Sequence, residues 1–390
     1  MPSLRLSMFR LTGKTVYLIS HERWGAMKIS KHHYAQELAH RGCQVFFLEP
    51  PDLAYEGISI TPSLEHHRLH IVRYRPIFRG KRFLPPFLYS LLIRMQVRAL
   101  LRAIGQKPDL IWCFQGYLYQ DLRYFGASRS LFFAADHFPR EEPPTELYSS
   151  DLILTVSDTI RQRLLAKGFS CQQINHGLQR TFAERALQNW QQYGSRKQNQ
   201  PPVVGYSGNL RIETIDHKAM LEVIRRLPGY QFVFWGSYQE NDLNLYGLRG
   251  PETEAFLHQL QCFPNVILRG PLPADQLAEE INGVDILWLC WQFKGLPNRD
   301  NANSHKILEY LSTGIPVITH AVLAYADSDL MYMLPMDQAA DFPDFFCKTA
   351  AMVSEGEDPS LVSRRISFAV ENAYTRHLDY IEGLLNDIRP

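Results

Sequence analysis

Cysteine is sparse in these 390 residues and never falls in a Cys-x-x-Cys pair. The six, Cys43, Cys113, Cys171, Cys262, Cys290 and Cys347, lie far apart. That excludes a zinc ribbon or a dense disulfide framework and fits reduced, mostly buried thiols in a cytoplasmic protein. Long apolar runs are missing too. Every apolar stretch is shorter than the ~20 residues needed to span a bilayer. Behind Arg5 and Arg10, Lys14 interrupts any signal-peptide core. Neither sign of charge is in excess: 41 Lys+Arg stand against 40 Asp+Glu, so the whole-chain field implies no nucleic-acid partner. Gly-x-Gly-x-x-Gly is absent from the turn after the first expected strand, which weighs against a dehydrogenase. No internal repeat or heptad pattern stands out.

What is present is strand–helix alternation at a length that favours two domains. Thr15–Ile19 reads as a strand, 31–39 as a helix and 43–48 as the next strand, which implies a parallel sheet. Strands are expected again at 109–114, 130–135 and 151–156, with Ser157 capping a helix. Residues 189–202 are polar, Gln-rich and end in paired prolines, which is linker chemistry. The pattern then restarts with strands at 203–206 and 231–235, and strand units within 263–270 and 281–289.

The most informative stretch is Asn303–Thr319, NSHKILEYLSTGIPVIT. Asn303 or Ser304 can cap a helix. Ile307, Leu308 and Leu311 make an apolar face, while Lys306, Glu309, Tyr310 and Thr313 fall opposite. Gly314 ends the helix in a left-handed turn, and Pro316 stops its continuation before a buried strand. A helix amino end with Lys306, then a carboxylate one turn on, suits a nucleotide: cation to diphosphate, Glu309 to ribose hydroxyls. The same spacing also suits an ordinary solvated Lys–Glu pair.

This block resembles the P-x-K-x-x-E-Y-L-A-x-G-x-P-V-V segment of GT-B glycosyltransferases, notably bacterial polysaccharide and glycolipid enzymes, with Ser304 where the family often has Pro. The resemblance continues almost through the chain, and is weakest over 50–105. It implies two Rossmann-like, doubly wound parallel-sheet domains facing a cleft, with a C-terminal helix crossing back to the first. The expected divisions are 1–185 for the acceptor, 186–202 as linker, 203–365 for the nucleotide sugar and 366–390 as the crossover helix. By the same resemblance Lys306 and Glu309 grip the donor, joined by Ser304 and His305 beside them. The run Tyr206-Ser-Gly-Asn-Leu210 adds Gly208 and Asn209 at a tight turn, with Arg211 as a bidentate phosphate partner. Trp235 and Ser237 line the base pocket, although Trp235 fits a core position equally.

In the first half, Ser20–Ala39 is similar to the family's S-H-x-x-W…H-H opening, so His21 either faces the acceptor or caps its loop. Asp136 ends a parallel strand, where a carboxylate faces the ligand crevice and can serve as general base. A cap or loop hydrogen bond is the other reading, and His137 stands beside it as a substitute. His176 reads as a turn residue. Residues 73–107 hold Arg73, Arg75, Arg79, Lys81, Arg82, Arg94, Arg98, Arg102 and Lys107 and no acid. A helix from about Phe87 would carry Leu88, Leu91, Leu92, Met95 and Ala99 on one face and Arg94, Arg98 and Arg102 on another. That suits either an anionic membrane surface or a core-packed helix with a solvated basic side.

The expected reaction is transfer of a sugar from a nucleotide-diphosphate sugar to a hydroxyl of a glycan or lipid-linked acceptor. No cofactor or metal is expected, since no D-x-D donor motif stands out. The Glu-x7-Glu of retaining relatives has Asn301 at its first position, with Asp300 adjacent, which leaves an inverting course open. The alternatives are a sugar-nucleotide epimerase of the same architecture and a non-catalytic scaffold at the membrane. Location is expected to be cytoplasmic, or peripheral on the inner membrane.

Overall fold

The computed structural model describes residues 9–25, 28–78, 84–192, 198–212, 214–239, 250–292 and 303–388. The chain divides into two units, one built from residues 1–175 and 374–390, the other from 176–373.

The first unit opens with β1 (Thr15–Ile19), α1 (Ser30–His40) and β2 (Gln44–Leu48), matching the strand–helix–strand reading. After β3 (Ile58–Pro62) and β4 (Leu69–Tyr74), α2 runs from Pro86 to Ile104. Pro86 sits in its first turn, where a missing amide costs nothing, and Gly105 closes it at φ +72°. Then come β5 (Leu110–Cys113), β6 (Arg129–Ala134), β7 (Leu152–Thr155), α3 (Asp158–Ala166) and the short β8 (Gln172–Gln173). The Ser157 hydroxyl accepts from the Ile160 amide and caps α3 as expected. Among the described residues the sheet order is β3-β4-β2-β1-β5-β6-β7-β8. All pairings are parallel except the edge pair β3–β4. The central strands are buried along their length, so they read as unbroken apolar runs rather than alternating ones.

The second unit begins with α4 (Arg180–Gln192) and continues with β9 (Val203–Ser207), α5 (His217–Arg226), β10 (Gln231–Trp235), α6 (Pro251–Cys262), β11 (Val266–Gly270), α7 (Ala274–Glu280), β12 (Ile286–Leu289), α8 (His305–Leu311), β13 (Val317–His320), β14 (Tyr332–Leu334), α9 (Phe342–Glu355) and α10 (Pro359–Glu371). Its six strands lie in the order β11-β10-β9-β12-β13-β14, all parallel. The final helix, α11 (Tyr374–Asp387), returns to the first unit. Tyr374, Leu378, Ile381 and Leu385 enter that core, and the Tyr34 hydroxyl meets His377 Nδ1 at 2.9 Å.

Three expectations on organisation differ from this. The polar 186–202 linker starts inside α4, whose Ala186 is buried against Val362 and Ile366 of α10; the unit boundary falls earlier, at Asn175/His176. Polarity misled because α4 spends few apolar residues on its contact. The single helix expected over 366–390 is two, α10 and α11, broken at Asn372-Ala373, where Leu178 bridges to Ala373. The third concerns α2. Its core face is Tyr89, Ile93, Gln96, Val97, Leu100 and Ile104. Leu88, Leu91 and Met95 point outward, as does Phe87 at 70% exposure. At 100° per residue they share one arc of roughly 120° with Arg94, Arg98 and Arg102, so arginine and apolar side chains interleave on one exposed face. In the same basic segment Arg73 lies on β4 and pairs with buried Glu49 at 3.2 Å. Residues 79–83 lie outside the described ones.

Candidate functional site

In the second unit the candidate donor residues gather where β9, β10 and α8 meet. The Ser304 hydroxyl caps α8 by accepting from the Lys306 amide at 3.4 Å. Ile307, Leu308 and Leu311 are fully buried, and Gly314 takes φ +74° before β13. Burying that stripe fixes the rotation of the helix, and so aims Lys306. Its ammonium sits over Gly208, where a Cβ would overlap Nζ. Gly208, at φ +139°, in turn packs its carbonyl where a Cβ on Gly236 would fall. Two glycines thus let the β9 turn, the β10 turn and a lysine share one small volume.

The polar partners of Lys306 are few. Among the described residues its ammonium makes one long hydrogen bond, 3.4 Å to the Tyr206 hydroxyl, and stands 5.0 Å from that ring's centre. Burial lowers its pKa to about 8, and Glu309 opposes the shift. Burial likewise raises the Glu309 carboxyl, against the pull of the Gln179 amide and Lys306. Gln179 Nε2 donates to Glu309 Oε1 at 3.1 Å. The arrangement is a half-desolvated cation and a carboxylate one turn apart, both short of partners among the described residues. Such a pair can accept an anionic group and a hydroxyl group side by side.

Sequence reasoning passed over three neighbours. Gln179 gave no signal, because it follows an ordinary turn. Tyr206 read as a strand residue. Tyr310 was placed on the polar face, yet it is fully buried, and its hydroxyl accepts from the Ser207 amide at 2.6 Å. That bond ties α8 to the turn beneath Lys306. The Y of the E-Y-L run was the available clue.

Other candidates are engaged elsewhere. Arg211 is 6% exposed; its Nε donates to the Tyr238 carbonyl at 3.1 Å and its Nη1 to Glu254 at 2.6 Å. The guanidinium braces the loop after β10 against α6. Asn209 Oδ1 accepts from the Arg211 amide. Trp235 is a core residue, its Nε1 donating to Glu280 at 2.6 Å and its ring touching the space above Gly205. Ser237 is buried, and its carbonyl takes the Leu210 amide. The His305 ring lies 4.4 Å from that of His176. The chain's D-x-D run, Asp327-Ser-Asp329, sends Asp329 to Arg364 on α10. Asp300 and Asn301 lie outside the described residues.

In the first unit His21, Asp136 and His137 line one pocket of about 290 Å³, with Phe114, Tyr117, Phe132 and Phe138 as apolar walls. Asp136 follows β6 and is exposed. His21 is fixed from both sides: Nδ1 lies 3.2 Å from the Phe114 carbonyl and Nε2 2.9 Å from the Lys31 ammonium. A lysine can only donate, so Nε2 accepts and Nδ1 carries the proton. Burial and Lys31 lower the pKa of His21, with Glu22 and Asp136 opposing. His21 is therefore a neutral ring with both nitrogens occupied, closer to the loop-capping reading than to proton transfer. Lys31 itself is 2% exposed and lies 3.4 Å from Glu22.

The pocket's far wall is held by Glu146, which is fully buried. Its carboxylate accepts from the amides of Tyr117, Leu118, Tyr119 and Gln120 at 2.7–3.0 Å. Tyr117 and Gln120 have φ +65° and +64°, a conformation costing each non-glycine residue of order 1–2 kcal/mol. Four charge-assisted hydrogen bonds offset that strain.

No family model matches the chain, and no curated protein matches its sequence. Solved structures do. The trehalose-6-phosphate protein from E. coli bound with UDP-2-fluoro glucose aligns at a TM-score of 0.62 and 11% identity, over 96% of this chain and 100% of that one. Sucrose-phosphate synthase from Thermosynechococcus elongatus gives 0.61 and 12%, over 95% and 98%. HepE from Anabaena, in complex with UDP and glucose, gives 0.59 and 14%, over 96% and 100%. At these identities the likeness is one of architecture, it runs through nearly the whole chain, and the architecture is the GT-B fold of glycosyltransferases.

Proposed function

We propose that this chain is a glycosyltransferase that moves a sugar from a nucleoside-diphosphate sugar to a hydroxyl of a glycan or lipid-linked acceptor. One observation carries the reading: the half-buried Lys306 ammonium, held over Gly208 with a single long hydrogen bond among the described residues, one turn from Glu309. A diphosphate supplies the acceptors that the ammonium lacks, and ribose hydroxyls donate to Glu309. As the bond to the leaving diphosphate breaks, Lys306 meets the charge that develops. Asp136 takes the proton of the attacking hydroxyl, with His137 beside it in the pocket. The E. coli and Anabaena structures carry UDP compounds, so UDP is the first nucleotide to try.

The exposed arc of α2, with Phe87, Leu91 and Met95 between Arg94, Arg98 and Arg102, supports docking on an anionic membrane surface, where a lipid-linked acceptor would lie. No described helix is long and apolar enough to cross a membrane.

Calorimetry with UDP, ADP, GDP and UDP-glucose tests the reading. Binding of at least one diphosphate by the wild type, lost in Lys306→Ala, is the expected result. Wild-type protein that binds none of them removes the proposal.

A further inference from the structure

Residues 176–189 contact α8 along a single stripe. The His176 ring lies 4.4 Å from that of His305. Gln179 Nε2 donates to Glu309, and Asn189 Nδ2 donates to the Ser312 carbonyl at 3.3 Å. Positions 305, 309 and 312 are spaced by four and three, which places them on one helix face. The lead-in is itself anchored. Leu178 is fully buried, its amide donates to the Asn372 carbonyl at 2.8 Å, and it bridges to Ala373.

Glu309 has one side-chain hydrogen bond among the described residues, and it is the one from Gln179. The bond engages Oε1 and leaves Oε2 without a protein donor there. A Glu side chain has three rotatable bonds, and ordering it costs about 1–2 kcal/mol. A neutral amide on a fixed backbone removes that freedom without neutralising the carboxylate. An arginine or lysine there would compete with the ligand for charge; a glutamine does not.

We infer that Gln179 is a positioning residue for the donor: it locks Glu309 in the rotamer whose free oxygen accepts from the ribose 2′- and 3′-hydroxyls. This rests on the donor-site reading above. It names a residue outside α8 and the glycine turns as a determinant of ribose recognition.

The test compares UDP with 2′,3′-dideoxy-UDP by calorimetry on wild-type protein and on Gln179→Met, which keeps length and removes the donor. The variant loses roughly tenfold in affinity for UDP, the worth of one hydrogen bond to a charged group, and none for the dideoxy analogue. In a Glu309→Ala background the same substitution changes neither. Equal losses for both ligands would make Gln179 a structural brace only, and no loss for UDP would remove it from the site; either overturns the inference. Thermal melting is read first. Should Gln179→Met melt early, Gln179→Glu replaces it, with a larger UDP-specific loss expected because two carboxylates then face each other. Wild-type protein that binds neither UDP, ADP nor GDP sinks the donor site itself, a result distinct from a wild type that binds and a variant that matches it.

Discussion

Two lysines are withdrawn from water in this protein, and their surroundings differ. Lys31, at 2% exposure, has His21 Nε2 at 2.9 Å and Glu22 at 3.4 Å. Lys306 has only the Tyr206 hydroxyl, at 3.4 Å, among the described residues. Burial depresses both pKa values. The first cation is answered by the protein's own groups, and it orders the loop after β1. The second is answered in part, and the shortfall is what a ligand can fill. Both stand at the second residue of a helix. The contrast predicts that removing each lysine has a different effect.

The comparison breaks if the two lysines respond alike to removal. Lys306→Ala should cost at least about 3 kcal/mol of diphosphate binding, a hundredfold or more, the scale of a lost charge-assisted contact. Its melting temperature should hold or rise, because a penalised charge has gone. The pH dependence has a definite sign. The folded pKa of about 8 lies below the ordinary 10.5, so between these values the unfolded state holds more protons. Stability therefore rises with pH through that window, by up to about 3 kcal/mol from this group, and diphosphate affinity falls as pH passes about 8. Calorimetry and urea melts at pH 7 and pH 9.5 read both.

Lys31→Met should do the opposite. It costs about 2 kcal/mol of folding stability, less than a fully buried pair because Glu22 keeps some solvent contact. Diphosphate affinity stays unchanged. Loss of binding in this variant would mean that the contrast between the lysines is false. Gly208→Ala sharpens it further. The added Cβ overlaps the Lys306 ammonium and φ is +139°, so the lysine is displaced and affinity falls by roughly tenfold, about 1.4 kcal/mol. The smallest effect belongs to α2. Each of Arg94→Gln, Arg98→Gln and Arg102→Gln should weaken binding to vesicles rich in anionic lipid by about 1 kcal/mol or less, with diphosphate affinity untouched. Vesicle binding that ignores all three removes the membrane surface.

The α8 block was legible because its signals are local. A capping Ser304, an apolar stripe, Gly314 and Pro316 all fall within a few residues of one another, and the structure forms each element they indicate. The central strand positions were legible for the same reason, since buried parallel strands are short apolar runs bounded by polar turns, whereas β3, β4, β8 and β14 were not read. The facing of α2 was not, since the helix is apolar on two sides and periodicity cannot say which side meets the sheet. Nor were pairings across the chain. Arg211 finds Glu254 forty-three positions away and Gln179 finds Glu309 at a separation of 130. Such contacts follow from topology, which local pattern does not encode.

The Glu146 clasp has a consequence of its own. A run of four amides turned inward, two of them on positive-φ residues, would ordinarily wait for an external anion to shape it. Here the chain carries the counter-ion internally, so the loop's ordering entropy is spent during folding and not when the pocket is filled. The wall of the Asp136 pocket is thus preorganised, and whatever enters meets a finished surface.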